Sequence, residues 1–179
     1  EDAEQTGIFV EKMADFFRYN VKKGQEDATL GEELEAVDNY IYILNVRFAG
    51  DIHFSKDVDE SLENVRVPSM ILQPVVENAV NHGIRDIEWE GKIHLTVTGD
   101  ADYIRISVKD NGKGMTAEQI EGVLTGNKKY KKEEGDSTGI GMNNVISRLE
   151  LYYEETGLVE INSEGEGKGT EVVIYIPVN

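Results

Sequence analysis

Two neighbouring segments of the chain alternate strictly between apolar and polar residues. The apolar positions, each separated from the next by one polar residue, are Ile93, Leu95 and Val97 in the first segment and Ile104, Ile106 and Val108 in the second. A turn at Gly99-Asp100-Ala101-Asp102 connects them, which is typical of antiparallel strands. Strands of this pattern bury one face and expose the other. The chain is therefore predicted to contain an antiparallel sheet whose apolar face is covered by other elements.

Helical patterns precede these strands. Residues 1 to 23 place apolar side chains on one side of a predicted helix: Phe9, Met13, Phe16 or Phe17, and Val21. A second apolar series recurs at alternating spacings of four and three: Leu30, Leu34, Val37, Ile41, Leu44 and Phe48. Thr29 is a suitable N-cap and Gly50 a suitable end for this second helix. Its apolar side is predicted to pack either within the chain or against a second copy, and the pattern leaves both open.

The remaining segments complete the fold prediction. We expect a short strand at Ile52 and Phe54 that can extend to Val58, and a helix that follows Pro68 and stops at Gly83. After the hairpin we expect a short helix near 117–123, a helix through "GIGMNNVISRLELYY", and closing strands at "LVEINS" and "GTEVVIYIP". These elements predict an α+β fold, a two-layer sandwich with a mixed, mostly antiparallel sheet and helices on one face. The predicted division is a helical segment at 1–49 and a second domain at 50–179.

The charge of the chain restricts its ligands. Thirty-five acidic residues against 18 basic ones give a formal net charge of -17, which opposes binding to nucleic acid or anionic lipid. A polyanionic small ligand would need a metal ion, a helix N-terminus or clustered lysines. One such cluster surrounds Tyr130: Lys128, Lys129, Lys131 and Lys132. Cysteine is absent, and residue 1 begins within a polar, helix-favouring stretch, so we expect a piece of a longer protein without a disulfide framework.

The segment "DNGKGM" follows the second strand directly. The two-residue period places Asp110 on the same inward face as Val108, so its carboxylate must find hydrogen-bond donors there. Asn-Gly is also a common hairpin turn. A hairpin needs a second strand, however, and the next residues have helical spacing with Thr116 as a cap. We therefore favour a ligand-binding role for this segment over a hairpin.

Two further segments carry polar residues suited to chemistry. At 100° per residue, the helix before the sheet gathers Glu77, Asn78, Asn81 and His82 in one arc of about 140°. Such an arc can simply face solvent, but an acid beside an amide also suits proton handling and oxygen coordination of Mg²⁺. In "STGIGMNN", glycines open a helix after a long polar stretch, an arrangement that suits phosphate groups. No Walker A motif, complete dinucleotide fingerprint or G-x-S-x-G is present.

Four motifs in order indicate a family. "ENAVNHG", "DNGKGM", "STGIGM" and "GEGKGT" resemble the N, G1, G2 and final Gly-Thr boxes of the ATP-binding domain shared by gyrase, heat-shock chaperone ATPases, sensor histidine kinases and MutL. The upstream "LGEELEAVDNYIYILNVRF" and "VPSMILQPVVENAVNHGI" resemble YesM/LytS-type sensor histidine kinases more narrowly. The similarity covers roughly residues 12 to 179 and implies a Bergerat-type ATP-binding fold.

The resemblance implies a role for each matching residue. Asp110 would accept a hydrogen bond from adenine, with Thr170 sharing the recognition. Gly112 and Gly114 would leave room for the purine, and Glu77 would act as the catalytic acid or base. The other residues implied at the ATP site are Asn78, which would also bind Mg²⁺, and Asn81, His82, Met115, Lys131, Gly139, Ile140, Gly141 and Met142.

Three departures from the family pattern bear on function. Pro74 stands one turn before Asn78, where relatives have an acidic or amide residue, and Asn81 stands where many histidine kinases have lysine. None of His53, His82 and His94 fits an acceptor on a dimerisation helix.

The expectation from the resemblance is therefore the cytoplasmic catalytic portion of a membrane-anchored bacterial receptor. It would use Mg²⁺-ATP, phosphorylate a histidine upstream of this chain and serve a response regulator, as a homodimer in the full-length protein. The alternatives are a nucleotide-gated binding module without transfer activity and a serine kinase like the anti-sigma factors of the superfamily.

Overall fold

The computed structural model describes residues 2–21, 27–47, 52–126 and 138–178. The helices are α1 (Asp2–Val21), α2 (Leu30–Arg47), α3 (Leu72–Asn78), α4 (Ala117–Thr125) and α5 (Thr138–Tyr153). The strands are β1 (Asp27–Thr29), β2 (Ile52–Val58), β3 (Arg66–Pro68), β4 (Gly91–Gly99), β5 (Tyr103–Asp110), β6 (Val159–Asn162) and β7 (Glu171–Pro177). A 3₁₀ turn covers Glu60–Leu62, and a π-helical turn covers Ala79–Ile84.

The main sheet has five strands in the order β2-β4-β5-β7-β6. The predicted hairpin is confirmed, since β4 and β5 pair antiparallel with Ile93 opposite Asp110. Strand β2 pairs parallel to β4, and the other neighbours are antiparallel. The alternating apolar side chains of β4 and β5 are all 2% exposed or less. The sequence period therefore identifies the buried face of the sheet correctly.

Helix α2 packs within the chain. Its apolar residues Leu30, Leu34, Val37 and Ile41 are buried in the same hydrophobic core as the sheet. Of the two predicted arrangements, the structure shows packing within the chain for these positions; Phe48 and Gly50 lie outside the described residues. The predicted cap is confirmed, because Thr29 Oγ1 accepts from Glu32 N–H and Glu32 accepts from Thr29 N–H. The division of the chain at residue 50 stays a prediction.

A two-stranded antiparallel sheet was not predicted. Strands β1 and β3 pair with Ala28 opposite Val67, and each has three residues. A segment of this length is too short for a two-residue period to stand out. The short helix α4 was predicted, and it begins with a capping box between Thr116 and Gln119. Among the described helices, none is long and apolar enough to cross a membrane.

The helix before the sheet changes type partway. The predicted single α-helix to Gly83 is wrong in its second half, because α3 ends at Asn78 and a π-helical turn continues to Ile84. Arg85 N–H donates to Val80 O at 3.0 Å, a bond that spans five residues. The 100° spacing therefore does not apply to Asn81, which is exposed, or to His82, which is half-buried. Pro74 is tolerated because it is the third residue of α3, where an N–H has no partner within the helix.

Candidate functional site

Asp110 lies at the end of β5 on the buried face of the sheet. It is 6% exposed, and its Oδ1 accepts from Gly112 N–H at 2.8 Å and from Thr170 N–H at 3.3 Å. Asp110 N–H in turn donates to Thr170 O at 2.8 Å. The predicted inward position of this acid and its need for donors are therefore confirmed. Burial raises the pKa of Asp110 above its ordinary value, and the two backbone hydrogen bonds oppose that rise.

Glycines allow the surrounding segments to touch. A Cβ on Gly83 would lie 2.8 Å from the Asp110 carboxylate, and a Cβ on Gly112 would lie 2.1 Å from the Gly83 carbonyl. Gly114 has a φ of 70°, and a Cβ there would lie 2.0 Å from Gly165 O. These close approaches between backbone segments leave no space for a Cβ at the three glycines. That Gly112 and Gly114 also leave room for a purine stays a prediction.

Ser163 is a residue that the sequence did not single out. Its Oγ accepts from Met115 N–H at 3.0 Å and donates to Gly169 O at 2.7 Å. This hydroxyl joins the segment after β5 to the segment before β7. The segments also bond directly, since Gly169 N–H donates to Gly112 O at 3.1 Å. Serine is common in the connections between strands, so no sequence signal marks this role of Ser163.

Helix α3 supplies the second polar group of the site. Glu77 and Asn78 are both half-buried. Asn78 Nδ2 is buried without a hydrogen-bond partner among the described residues. A Cβ on Gly141 would lie 3.9 Å from Asn78 Oδ1, so the first turns of α5 approach this amide. The "ENAVNHG" and "STGIGM" segments are therefore adjacent at Asn78 and Gly141.

Gln73 is a further side chain that the sequence missed. It is 2% exposed, and its Nε2 donates to Glu77 Oε1 at 2.7 Å. Its Oε1 is buried without a partner in the described part of the chain. The position lies next to the apolar residues of α3, so the sequence gave no reason to expect a buried amide that bonds to Glu77. Gln73 orients the Glu77 carboxylate.

The remaining predicted residues lie in several places. Lys131 and its neighbouring lysines fall outside the described residues, while Gly139 and Ile140 lie in the first turn of α5. Met142 is 2% exposed and belongs to the hydrophobic core. Met115 and Thr170 are half-buried beside the Asp110 loop.

Two of the histidines lie in the sheet, away from these groups. His53 Nε2 pairs with Glu90 at 2.9 Å. His94 contacts Ser55 through Nδ1 at 2.8 Å and Asp57 through Nε2 at 3.2 Å. His53 lies on β2 and His94 lies on β4, in agreement with the predicted strands. Neither lies on a helix as a phospho-acceptor would.

The donor set beside Asn78 suits a nucleotide with its metal ion. Within the described ranges, no cluster of three or more His, Cys, Asp or Glu forms a self-sufficient metal site. Mg²⁺ commonly takes only one or two protein ligands and completes its shell with phosphate oxygens and water. Asn78 fits this role through Oδ1, the amide atom that can coordinate a metal ion, which lies beside the start of α5 at Gly141. Its buried Nδ2, a donor without a partner among the described residues, suits a phosphate oxygen.

Comparisons with known proteins match this arrangement. The family model described as "Histidine kinase" matches residues 1–52. The sensor histidine kinase YpdA of Escherichia coli (strain K12) is 34% identical over 92% of this chain, and the sensor histidine kinase YesM of Bacillus subtilis (strain 168) is 29% identical over 97%. The chain spans 27% and 28% of the lengths of these two relatives. The predicted resemblance to YesM/LytS-type kinases is confirmed.

A solved structure agrees on the fold. The mycobacterial sensor histidine kinase MprB superimposes with a TM-score of 0.63 at 18% identity, over 86% of this chain and 97% of that one. At this identity the likeness bears on the fold alone, and it confirms the predicted fold class. The family model described as "Histidine kinase-, DNA gyrase B-, and HSP90-like ATPase" matches residues 66–179, which include Asp110, Asn78 and Gly141. The chain therefore belongs to the family of histidine kinase-, DNA gyrase B- and HSP90-like ATPases.

Proposed function

We propose that this chain is the ATP-binding catalytic part of a two-component sensor histidine kinase. It binds ATP with Mg²⁺ and transfers the γ-phosphoryl group to a histidine upstream of residue 1, from which the group passes to a response regulator. In the longer protein this part lies on the cytoplasmic side of a membrane-anchored, homodimeric receptor. Family membership and the names of the bacterial relatives support this proposal.

The observation that carries the proposal is the convergence of distant motifs at Asp110. Gly83 from the N segment, Gly112 from the G1 segment and Thr170 from the final segment all contact this residue. The described residues donate both backbone bonds to Oδ1, so Oδ2 is the oxygen that we assign to the adenine amino group. A buried carboxylate is a strong and selective acceptor for such a donor.

The phosphate end of the ligand is assigned to α3 and α5. Asn78 holds Mg²⁺ and Gly141 admits the phosphates close to it. Mg²⁺, when bound, neutralises phosphate charge, a function that matters in a chain of net charge -17. The first turn of α5 offers backbone N–H groups at its positive end.

We assign to Glu77 the role of proton acceptor during phosphoryl transfer. A ring nitrogen of the acceptor histidine forms a bond to the γ-phosphorus while the bond from phosphorus to the bridging oxygen breaks. ADP leaves with that electron pair, and Glu77 accepts the proton that the imidazole gives up. Gln73 Nε2, at 2.7 Å from Glu77 Oε1, keeps the carboxylate oriented for this step. Most of the rate enhancement in such reactions comes from positioning and charge neutralisation.

Two measurements test the proposal. Titration calorimetry of the 179-residue chain with Mg²⁺-ATP should show binding at one site. Incubation with γ-labelled ATP should leave the chain itself unlabelled, whereas a longer product of the gene that carries the upstream histidine should take up acid-labile label. No binding of ATP would overturn the proposal, and so would acid-labile label on the chain alone. Binding without transfer in the longer protein would favour a nucleotide-gated module.

A further inference from the structure

Glu33 is a buried acid with no part in the proposed chemistry. It lies on α2 and is 1% exposed. Its two carboxylate oxygens accept three backbone hydrogen bonds, from Met70 N–H at 2.6 Å, Ile71 N–H at 2.9 Å and Leu72 N–H at 2.8 Å. Ile71 is the N-cap of α3 and makes no side-chain cap bond of its own. Glu33 therefore caps the start of α3 from another helix.

The capped segment is held in an uncommon conformation. Met70 has a φ of 63°, a left-handed value that non-glycine residues rarely adopt, and its side chain is 3% exposed. Such backbone persists only where surrounding contacts impose it. Those contacts are the Glu33 carboxylate and Arg148 of α5, whose guanidinium donates to Ser69 O. Arg148 also acts electrostatically on Glu33.

The same carboxylate reaches α1. Tyr19 Oη donates a hydrogen bond to Glu33 Oε1. A second contact runs in parallel, because Phe16 of α1 stacks on Tyr40 of α2 with ring centroids 6.1 Å apart. The charge of Glu77 raises the pKa of Tyr40, after the larger effect of burial, so this ring lies close enough to Glu77 to sense it. Helix α1 is thus connected through α2 to the start of α3.

We infer that Glu33 is a positioning residue of the nucleotide site. It ties the start of α3 to α1 and α2, and through α3 it holds Glu77 and Asn78 in place. This inference rests on the proposed function for its effect on ATP, but its effect on α3 can be measured without nucleotide. Because Glu77 and Asn78 lie on α3 itself whereas Asp110 belongs to β5, the loss of Glu33 should affect the Mg²⁺ and phosphate end of the site more than the adenine end.

The test compares Glu33→Gln with Glu35→Gln in the 179-residue chain. Glu35 lies on the same helix and is exposed, so its substitution makes the same charge change without the contacts. For Glu33→Gln, amide exchange at residues 70–72 should accelerate by about tenfold or more, because one neutral acceptor replaces a carboxylate. The affinity for ATP in Mg²⁺ should fall about tenfold, and the affinity in EDTA should fall by less, because only the metal contact is missing there. The control should match the wild type in both readouts.

Several outcomes would overturn the inference. Unchanged exchange at residues 70–72 would show that Glu33 does not hold α3, whether or not ATP binds. A folded Glu33→Gln chain with unaltered Mg²⁺-ATP affinity, or with equal losses in Mg²⁺ and EDTA, would also contradict it. Failure of the wild type to bind ATP is different, since it refutes the proposed function. If Glu33→Gln does not fold, Tyr19→Phe is the second variant, because it removes only the contact from α1 to Glu33. Tyr19→Phe should also weaken Mg²⁺-ATP binding. An unchanged affinity of this variant would overturn the connection to α1.

Discussion

The two ends of the candidate site are built in different ways. At the Asp110 end, backbone packs against backbone and the buried carboxylate accepts from Gly112 and Thr170. At the Asn78 end, Asn78 Nδ2 and Gln73 Oε1 are buried without partners among the described residues. Buried polar groups in native proteins are nearly always hydrogen-bonded. The first end is therefore assembled in the free protein, whereas the second contains polar atoms suited to a ligand.

This difference separates stability from binding. A group whose hydrogen bonds are made within the protein contributes to folding whether or not a ligand is present. A buried amide without a partner costs about 1 to 3 kcal/mol, which a ligand recovers when it supplies the partner. Substitutions at the Asp110 end should therefore reduce stability and binding together if they touch the glycines. Substitutions at Asn78 should reduce binding alone.

The largest expected effect is that of Gly112→Ala. The added methyl group would lie 2.1 Å from the Gly83 carbonyl, which cannot move without displacing the π-helical turn. Overpacking against backbone at this distance should lower the free energy of unfolding by about 3 kcal/mol, measured by urea unfolding. Gly7→Ala is the matched control, because a Cβ on Gly7 has no atom within 4 Å. Equal stability of the two variants would mean that the Asp110 end is not assembled as described.

Asp110→Asn should have the next largest effect. Asparagine keeps Oδ1 as an acceptor for Gly112 and Thr170 but replaces the charged oxygen that we assign to adenine. A charge-assisted hydrogen bond contributes about 1.5 to 3 kcal/mol, so the affinity for ATP should fall roughly ten- to a hundredfold. Calorimetry measures this, with the exposed Asp102→Asn as the control for the change in net charge. Unaltered affinity would contradict the adenine assignment.

The sequence predicted the Asp110 end through its periodicity. The two-residue period of β5 placed Asp110 inward, and Thr116 marked the helix that excluded a hairpin. It could not predict what Gly112 contacts, because a glycine is required equally beside a ligand and beside another segment of backbone. The contact with Gly83, about 30 residues earlier in the sequence, becomes visible only in the folded chain.

The sequence was less informative about α3 and its surroundings. Helical periodicity identified the polar residues Glu77 and Asn78, but the π-helical turn after them depends on packing against the sheet and not on a local pattern. In the sequence, nothing distinguishes Glu33 from the other glutamates of this amphipathic helix. Its capping of a helix about 40 residues later is a long-range contact. Short local signals carry no information of that kind.

Asn78→Ala should separate binding from stability. Alanine removes a buried donor that the described residues leave unpaired, so the variant loses no hydrogen bond of that donor within the described residues and the free energy of unfolding should not fall. The affinity for Mg²⁺-ATP should fall about tenfold, because a ligand of the metal or phosphate is lost. The control is Asn144→Ala, an exposed asparagine on α5. A variant that loses stability but keeps its affinity would reverse the distinction between the two ends.

The smallest expected effect is the pH dependence of binding at Asp110. Burial raises the pKa of this carboxyl in the free protein, and adenine binds to its ionised form. As pH falls through the raised pKa, the affinity for ATP should therefore decrease, by about twofold over the first half unit below it. The contribution of Asp110 to stability has the opposite sign, because the folded chain binds this proton more tightly than the unfolded chain and gains stability as pH falls in the same window. Because ATP phosphates also titrate, the affinity for ATP is measured for the wild type and for Asp110→Asn over the same pH series, and the difference between the two is the relevant quantity. Parallel curves of affinity against pH would show that the Asp110 carboxylate does not bind the nucleotide.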